Sequence, residues 1–455
     1  MHIHILGICG TFMGSLALLA KDAGHNVSGC DENVYPPMST QLQAQGIEIV
    51  NGFDPLQLEP NPDLIIVGNA MSRGNPCVEY MLNHRLQYTS GPAWLGEHIL
   101  RDKHVLAVSG THGKTTTSSM LAKILDFSGL QPGFLIGGVA QDFGISARLS
   151  ESEYFVVEAD EYDSAFFDKR SKFVHYHADT VVINNLEFDH ADIFDDLAAI
   201  QRQFHHLIRT VPSAGDIVYP AEDKNILNVL EQGCWSTKQT FGLDETNLWQ
   251  YQLMESDGSV FRIINRVSGE ATSATVAWQH CGLHNVKNAL AAIVAAASVG
   301  VSIEQSCRAL CEFEGVKRRM EVIYDDNGIK VYDDFAHHPT AIKTTLEGLR
   351  SRVGEEPILA IIEPRSATMR MGVHRDNLTT AVAAADRVLW YHNQLHDWSM
   401  DELQSNSSRS KVVNSIQSLI DQAVDFSSGN GHILTMSNGG FGGLHQKLIK
   451  ALAAG

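Results

Sequence analysis

Basic residues are scarce in this chain: 34 Lys and Arg stand against 53 Asp and Glu, a formal net charge of −19. A phosphodiester backbone needs a surplus of cations along the protein surface, so nucleic acid is excluded as a partner. Single phosphates are not excluded, because a few cations and backbone N–H groups can hold them inside an acidic protein. Long apolar runs are missing too. No stretch reaches the roughly 20 residues of a membrane span, and the opening MHIHILGICG has no cationic region ahead of its apolar residues. No membrane partner is expected, and the cytoplasm is the expected compartment. The seven cysteines are odd in number and scattered, which argues against a disulfide framework. Cys307 and Cys311 have helical spacing but no second Cys/His pair nearby, so both are expected to be small core residues. Gly/Ser-rich or Pro-rich tails are also absent, so nearly all of the chain should fold.

What is present is an alternation of short apolar runs and helical patterns. At 455 residues the chain exceeds one core, and about 150 residues per domain suggests roughly three domains. Residues 1–102 read as a parallel α/β unit, 103–315 as a second sheet with its own helices, and 316–455 as a third α/β unit. Within the second, residues 249–264 read as a hairpin turning at Asp257-Gly258, and 285–300 as a buried helix ended by Gly300.

The sharpest local signal is GTHGKTTT at 110–117, between an apolar strand and an amphipathic helix. Backbone N–H groups there can cradle phosphates, with Lys114 reaching the β and γ phosphates and the Thr115 hydroxyl ligating Mg²⁺. Val108 stands where the generic P-loop pattern has its first glycine, and a plain strand-to-helix turn is the competing reading. VVEADEYD places Glu158, Asp160 and Glu161 at a strand end, where Mg²⁺ would offset their repulsion; a solvated acidic loop is the alternative. NNLEFDHAD offers Asn185, Glu187, Asp189 and His190, the last able to complete a second metal site. GICGTFMG (Gly7, Gly10, Thr11, Met13, Gly14), with Asp31 ending the next strand, reads as a nucleotide-binding turn or as a tight packing turn. GLHNVKNA offers His284 and Asn288 to a base, KRRMEV offers Arg318 and Arg319 to an anion, and YDDFAHHPTA, EPRSATMRMG and MSNGGFGGLHQK place polar groups after strands of the third unit.

In this order the segments resemble the Mur ligase family over essentially the whole chain. The family's GT-x-GKT form of the P-loop accounts for Val108. The resemblance implies a Rossmann-like UDP-sugar domain, a central P-loop ATPase-like sheet and a Rossmann-like C-terminal peptide-binding domain. It implies ATP on Gly110, Thr111, His112, Gly113, Lys114, Thr115 and Thr116, with His284 and Asn288 at adenine and Arg319 and Asp333 or Asp334 at phosphate and ribose. Mg²⁺ falls to Thr115, Glu158 and His190, and Lys114, Glu158 and His190 carry the catalytic roles. Gly7, Gly10, Thr11, Met13, Gly14, Asp31 and Ser72 fall to the UDP-sugar. Residues 191–216 contain no lysine, so the carboxylated lysine of several branches is absent, as in the alanine-adding branch.

The third-domain strings EPRSATMRMGVH and MSNGGFGGLHQKL instead resemble the recycling branch. That implies amide formation between the lactyl carboxylate of UDP-N-acetylmuramate and the tripeptide L-alanyl-γ-D-glutamyl-meso-diaminopimelate. The DNPR motif of the diaminopimelate-adding branch is missing, so the tripeptide would be recognised differently, with Arg365, Arg370, Asn438 and Gly439 the expected carboxylate binders. Free L-alanine as acceptor is the alternative within the family, and a redox or nucleotide-switch protein the alternative outside it. The oligomeric state is left open. Domain closure that excludes water, turning on linkers near 100–105 and 314–320, is the expected gate.

Overall fold

The structure, a computed structural model, describes residues 1–34, 38–266, 271–392, 397–405, 407–426 and 430–453. Three sheets organise it, each built from a consecutive stretch of chain. The first is parallel, in the order Glu48–Asn51, Asn26–Asp31, His2–Leu6, Leu64–Val67, Tyr88–Ser90. Its strand order reverses beside His2–Leu6, which opens a crevice at the C-terminal ends of the strands. Strands such as LIIV can be apolar throughout because parallel sheets are covered on both faces.

The second sheet runs Thr272–Ala277, Val260–Asn265, Trp249–Leu253, Thr237–Gly242, Asp216–Pro220, Thr180–Ile183, His104–Ser109, Tyr154–Glu158, Gly133–Leu135, Ala147–Arg148. Its middle is parallel and both margins are antiparallel. The expected hairpin is there, with Gly258 at φ +78°, but it continues into a third strand, Thr272–Ala277, that the sequence reading missed. That strand, TSATVA, alternates too weakly to announce itself; only Val276 is buried. The buried helix spans Leu283–Ser298 and is followed by Gly300 at φ +85°. Cys307 is buried as expected, whereas Cys311 is exposed. It ends the helix Ile303–Cys311 beside the edge strand, and its sulfur accepts from Ala277 N at 3.4 Å.

The third sheet runs Glu321–Asp326, Ile329–Asp334, Gly431–Met436, Ile358–Ile362, Arg387–Tyr391, Ser410–Val413. Only its first strand is antiparallel, joined at Asn327 and Gly328, both at positive φ as a tight two-residue hairpin requires.

The first two units share one apolar core. Ile3, Ile5, Leu16 and Trp94 form a single buried cluster with Val105, Phe155, Phe173 and Ile183. Ser15 and Ser146 hydroxyls hydrogen-bond across the junction at 2.7 Å. The third unit attaches differently, by polar contacts. Thr368 Oγ1 donates to Asp189 Oδ1 at 2.9 Å and accepts from Ala191 N at 3.2 Å; Thr340 Oγ1 donates to Glu187 Oε2 at 2.7 Å. The Arg352 guanidinium donates to Asp257 Oδ2 at 3.1 Å and to the carbonyls of Gln279 and His280. Gly282 and Gly348 meet backbone to backbone, since a Cβ on Gly348 would lie 2.8 Å from Gly282 Cα. No helix among the described residues is long and apolar enough to cross a membrane.

Thr368 and Asp189 are both buried. Thr368→Val keeps the volume but leaves the carboxylate short of one donor, a loss of about 1–3 kcal/mol. The variant should retain the melting temperature of the first two units and show a larger radius of gyration in small-angle scattering as the third unit loosens.

Candidate functional site

One cleft of about 1350 Å³ touches all three units: Cys9 and Thr11 from the first, residues 111–116 and His284 to Asn288 from the second, and Arg319, Asp334 and Asn438 to Gly440 from the third. Its floor is the loop between strand His104–Ser109 and helix Lys114–Phe127. That loop cannot be built from ordinary residues. Gly110 and Gly113 sit at φ +122° and +80°, and a Cβ on Gly113 would lie 2.5 Å from Asn288 Oδ1 and 2.9 Å from Asn184 Nδ2. The result is an open, glycine-lined helix N-terminus, the geometry that receives phosphate.

Lys114 is the charge at its centre. Its Nζ donates to Gly110 O and Glu161 Oε2, both at 2.8 Å, and lies 3.7 Å from Asp160 Oδ1. Burial works against the ammonium, but Glu161, Asp160 and Glu158 outweigh it and hold the lysine charged, well above its ordinary range. For Asp160, burial is likewise outweighed, here by Lys172 at 3.0 Å and by Lys114, so its carboxyl is held well below the usual range. Glu158 is pushed upward by burial, while Gly137 N (2.7 Å) and Thr115 Oγ1 (3.1 Å) donate to its two oxygens. Four ionisable groups at such close quarters form a largely buried network of alternating charge, not a solvated acidic loop.

The residues expected at the metal divide into two adjacent positions. Thr115 and Glu158 are hydrogen-bonded to each other, whereas His190 Nε2 meets Glu161 Oε1 at 3.1 Å, and Asp160, Glu161 and His190 converge within 4.8 Å. Glu161 was singled out only as a member of the acidic run, and its contacts with both Lys114 and His190 were not anticipated. His190 adopts φ +56°. Its pKa is raised: burial lowers it, but Glu161 and Asp189 prevail.

At the far end of the P-loop, His284 lines the cleft with its Nδ1 buried and without a partner among the described residues. Burial, then the nearby Arg319, lowers it to about 4, so it meets a ligand as a neutral imidazole, suited to a base edge. Asp333 is engaged by Arg318 Nε at 3.1 Å and His445 Nε2 at 3.2 Å and does not line the cleft. Asp334 does line it, fixed by donations from Met320 N and Ala336 N, both at 2.8 Å. Arg318 also donates to the carbonyls of Ser437 and Gly439, which makes it a structural tie, whereas the Arg319 guanidinium makes no hydrogen bond among the described residues and lies over Phe335 at 5.0 Å.

In the first unit, Gly7 is at φ +83° and its N–H donates to Cys30 O, while Asp31 accepts from Cys9 N at 3.0 Å, so the turn and Asp31 face one another. Gly10 caps the helix beginning at Thr11. Met13 is buried in the core, Gly14 abuts Met38, and exposed Ser72 accepts Asn75 N on its carbonyl; of the residues expected at the UDP-sugar, Thr11 lines the cleft, whereas Gly7, Gly10, Met13, Gly14, Asp31 and Ser72 do not. In the third unit, Asn438, Gly439 and Gly440 line the cleft, with the Arg365 guanidinium packed on Gly439. Asn438 Oδ1 and Arg370 Nε are buried without partners among the described residues, although Arg365 and Arg370 lie outside the cleft wall itself.

Comparison with known proteins covers all three units. Residues 2–103 match the Mur ligase family catalytic domain, 108–296 the Mur ligase middle domain and 318–439 the glutamate ligase domain of Mur ligases. The UDP-N-acetylmuramate–L-alanyl-γ-D-glutamyl-meso-2,6-diaminoheptandioate ligase of Haemophilus influenzae is 54% identical, over 99% of this chain and 99% of its own. The enzyme of the same name from Escherichia coli K12 is 52% identical, over 100% and 98%. A crystal structure of a murein peptide ligase from Psychrobacter arcticus superposes with a TM-score of 0.78 at 49% identity, over 99% of this chain and 98% of that one.

Gly113→Ala tests the P-loop. The substitution forces a Cβ into the left-handed region and against Asn288, at about 1–2 kcal/mol for the backbone alone. A melting temperature lower by a few degrees and at least an about tenfold loss of nucleotide affinity by calorimetry are expected.

Proposed function

The chain belongs to the Mur ligase family, and from this we propose that it forms an amide between the lactyl carboxylate of UDP-N-acetylmuramate and the L-alanine amine of L-alanyl-γ-D-glutamyl-meso-diaminopimelate, converting ATP to ADP and phosphate. One observation carries the choice of acceptor: the alignment that is 54% identical overall covers 99% of this chain and so includes the third unit, to which we assign the acceptor side of the cleft. We assign the reaction to recycling of cell-wall peptide in the cytoplasm.

A carboxylate does not acylate an amine at neutral pH, so it must first gain a leaving group. Its oxygen attacks the γ phosphorus, ADP departs, and an acyl phosphate results; the amine then adds to the acyl carbon, loses a proton and expels phosphate. Lys114, already charged and fixed at the loop, exchanges its contact with Glu161 for the γ phosphate and offsets the repulsion between the two anions. Thr115 and Glu158 are hard oxygen donors of the kind Mg²⁺ takes, and Asp160, Glu161 and His190 form a second group beside them. The bound ion would neutralise phosphate charge. His284 and Asn288 are assigned to adenine, Asp334 to ribose and Arg319 to phosphate. Gly7, Gly10, Thr11 and Asp31 are assigned to the UDP-sugar, and Asn438 and Gly439, backed by Arg365 and Arg370, to peptide carboxylates.

We divide the domains at 102/103 and 315/316. The moving joint is assigned to 315–320, where Gly315, Arg318 and Met320 all have positive φ and Val316 still pairs with Ala140 of the central sheet. The segment near 100–105 is a poorer joint, because the shared apolar core runs through it.

Purified protein with Mg-ATP and UDP-N-acetylmuramate should release phosphate and yield the UDP-linked tripeptide by mass analysis when the tripeptide is supplied. Free L-alanine should give at most a small fraction of that turnover. Turnover with alanine alone would move the chain to the alanine-adding branch.

A further inference from the structure

A second cluster of ligating side chains lies at the edge of the cleft where the central and third domains meet, and although His112 belongs to the P-loop, no step above is assigned to the three together. His112 comes from the P-loop, Glu187 from the loop after strand Thr180–Ile183, and His338 from the cap of helix Pro339–Val353. One ligand atom of each lies within 4.8 Å of the others. His112 Nε2 is 3.3 Å from Glu187 Oε2, and His338 Nδ1 is 3.6 Å from the same oxygen. We propose that His112, Glu187 and His338 bind a divalent transition-metal ion of the Zn²⁺ or Co²⁺ type, a site that spans the domain interface and is complete only when the two domains are closed.

The hydrogen bonds around His338 fix its tautomer. Nδ1 accepts from Thr340 N at 3.3 Å, so it carries a lone pair, and the proton resides on Nε2, shared with His374 Nε2 at 3.1 Å. In this arrangement that lone pair is taken up by the Thr340 N–H, 3.6 Å from Glu187 Oε2, and an ion held between the two atoms would replace the backbone donor. The carboxylate oxygen in turn accepts from the Thr340 hydroxyl at 2.7 Å, so one residue holds both ligand atoms in register across the interface. Burial and the neighbouring His112 lower His338 to about 3, consistent with a neutral, ligating imidazole. His374 then has the place of an outer partner that orients a metal-bound histidine. Separations of 3.3 and 3.6 Å suit edges of a tetrahedron with bonds of about 2.0–2.1 Å. Two imidazoles and one carboxylate select zinc-like ions over Mg²⁺, which takes oxygen donors. The site is thus chemically distinct from Thr115 and Glu158, and it does not depend on which acceptor the enzyme uses.

Because the ligands come from both domains, metal affinity and closure are linked: the ion binds the closed arrangement and draws the population toward it. The test uses tag-free, full-length, nucleotide-free protein titrated with Co²⁺ and followed by its visible absorption. The expected result is one tightly held Co²⁺ per chain, displaced by Zn²⁺ but not by excess Mg²⁺, with a smaller radius of gyration in small-angle scattering once loaded. His338→Gln and Glu187→Gln should each weaken that binding at least tenfold, while His190→Gln, in the neighbouring cluster, retains it. Circular dichroism and melting curves identify a variant that fails to fold, and the other variant then decides. Absence of a Co²⁺ spectrum, a spectrum unchanged in both His338→Gln and Glu187→Gln, or its loss in His190→Gln would each overturn the proposal.

Discussion

A buried ammonium must be paired, and Lys114 is where that requirement shapes the molecule. Removing one partner of a buried ion pair leaves an uncompensated charge, at about 3–5 kcal/mol. The chain meets the demand by bringing the acidic run after strand Tyr154–Glu158 alongside the P-loop, so that Glu161 and Asp160 face the lysine. Those carboxylates need further partners in turn: Lys172 holds Asp160, and His190, whose pKa Glu161 and Asp189 raise against the effect of burial, pairs with Glu161. The parallel middle of the central sheet places all of these groups at the C-terminal ends of its strands. A site of alternating charges therefore exists before any ligand arrives, and ligands exchange with its internal partners.

How much of this could be read in the sequence follows from how local each signal is. The P-loop was legible because its glycines, lysine and threonine are contiguous, and the strand before it and the helix after it carry different hydrophobic periods. The acidic run was legible as chemistry but not as geometry. Nothing in VVEADEYD says that Glu161, rather than Glu158, turns toward Lys114 and His190, because a strand end that leaves the sheet loses its alternation. The fold class followed from apolar runs and turns, whereas the edge strand Thr272–Ala277 escaped because it buries little.

Contacts between distant segments were the least legible. Thr368 with Asp189, Thr340 with Glu187 and Arg352 with the 279–280 carbonyls join residues far apart in the chain through side chains that look like ordinary caps and surface groups. Likewise the choice between Asp333 and Asp334 could not be made from adjacent identical letters. It rests on which one Arg318 and His445 claim, leaving Asp334 to the cleft.

The shared apolar core of the first two domains has a mechanical meaning. Two bodies joined through Trp94, Phe173 and their neighbours cannot separate without exposing that core to water, whereas the third body is held by hydrogen bonds that water can replace. Three units thus amount mechanically to two bodies. The first unit and the P-loop ride on one body with their mutual spacing set by the fold, and any relative motion falls to the third, whose attachments water can replace.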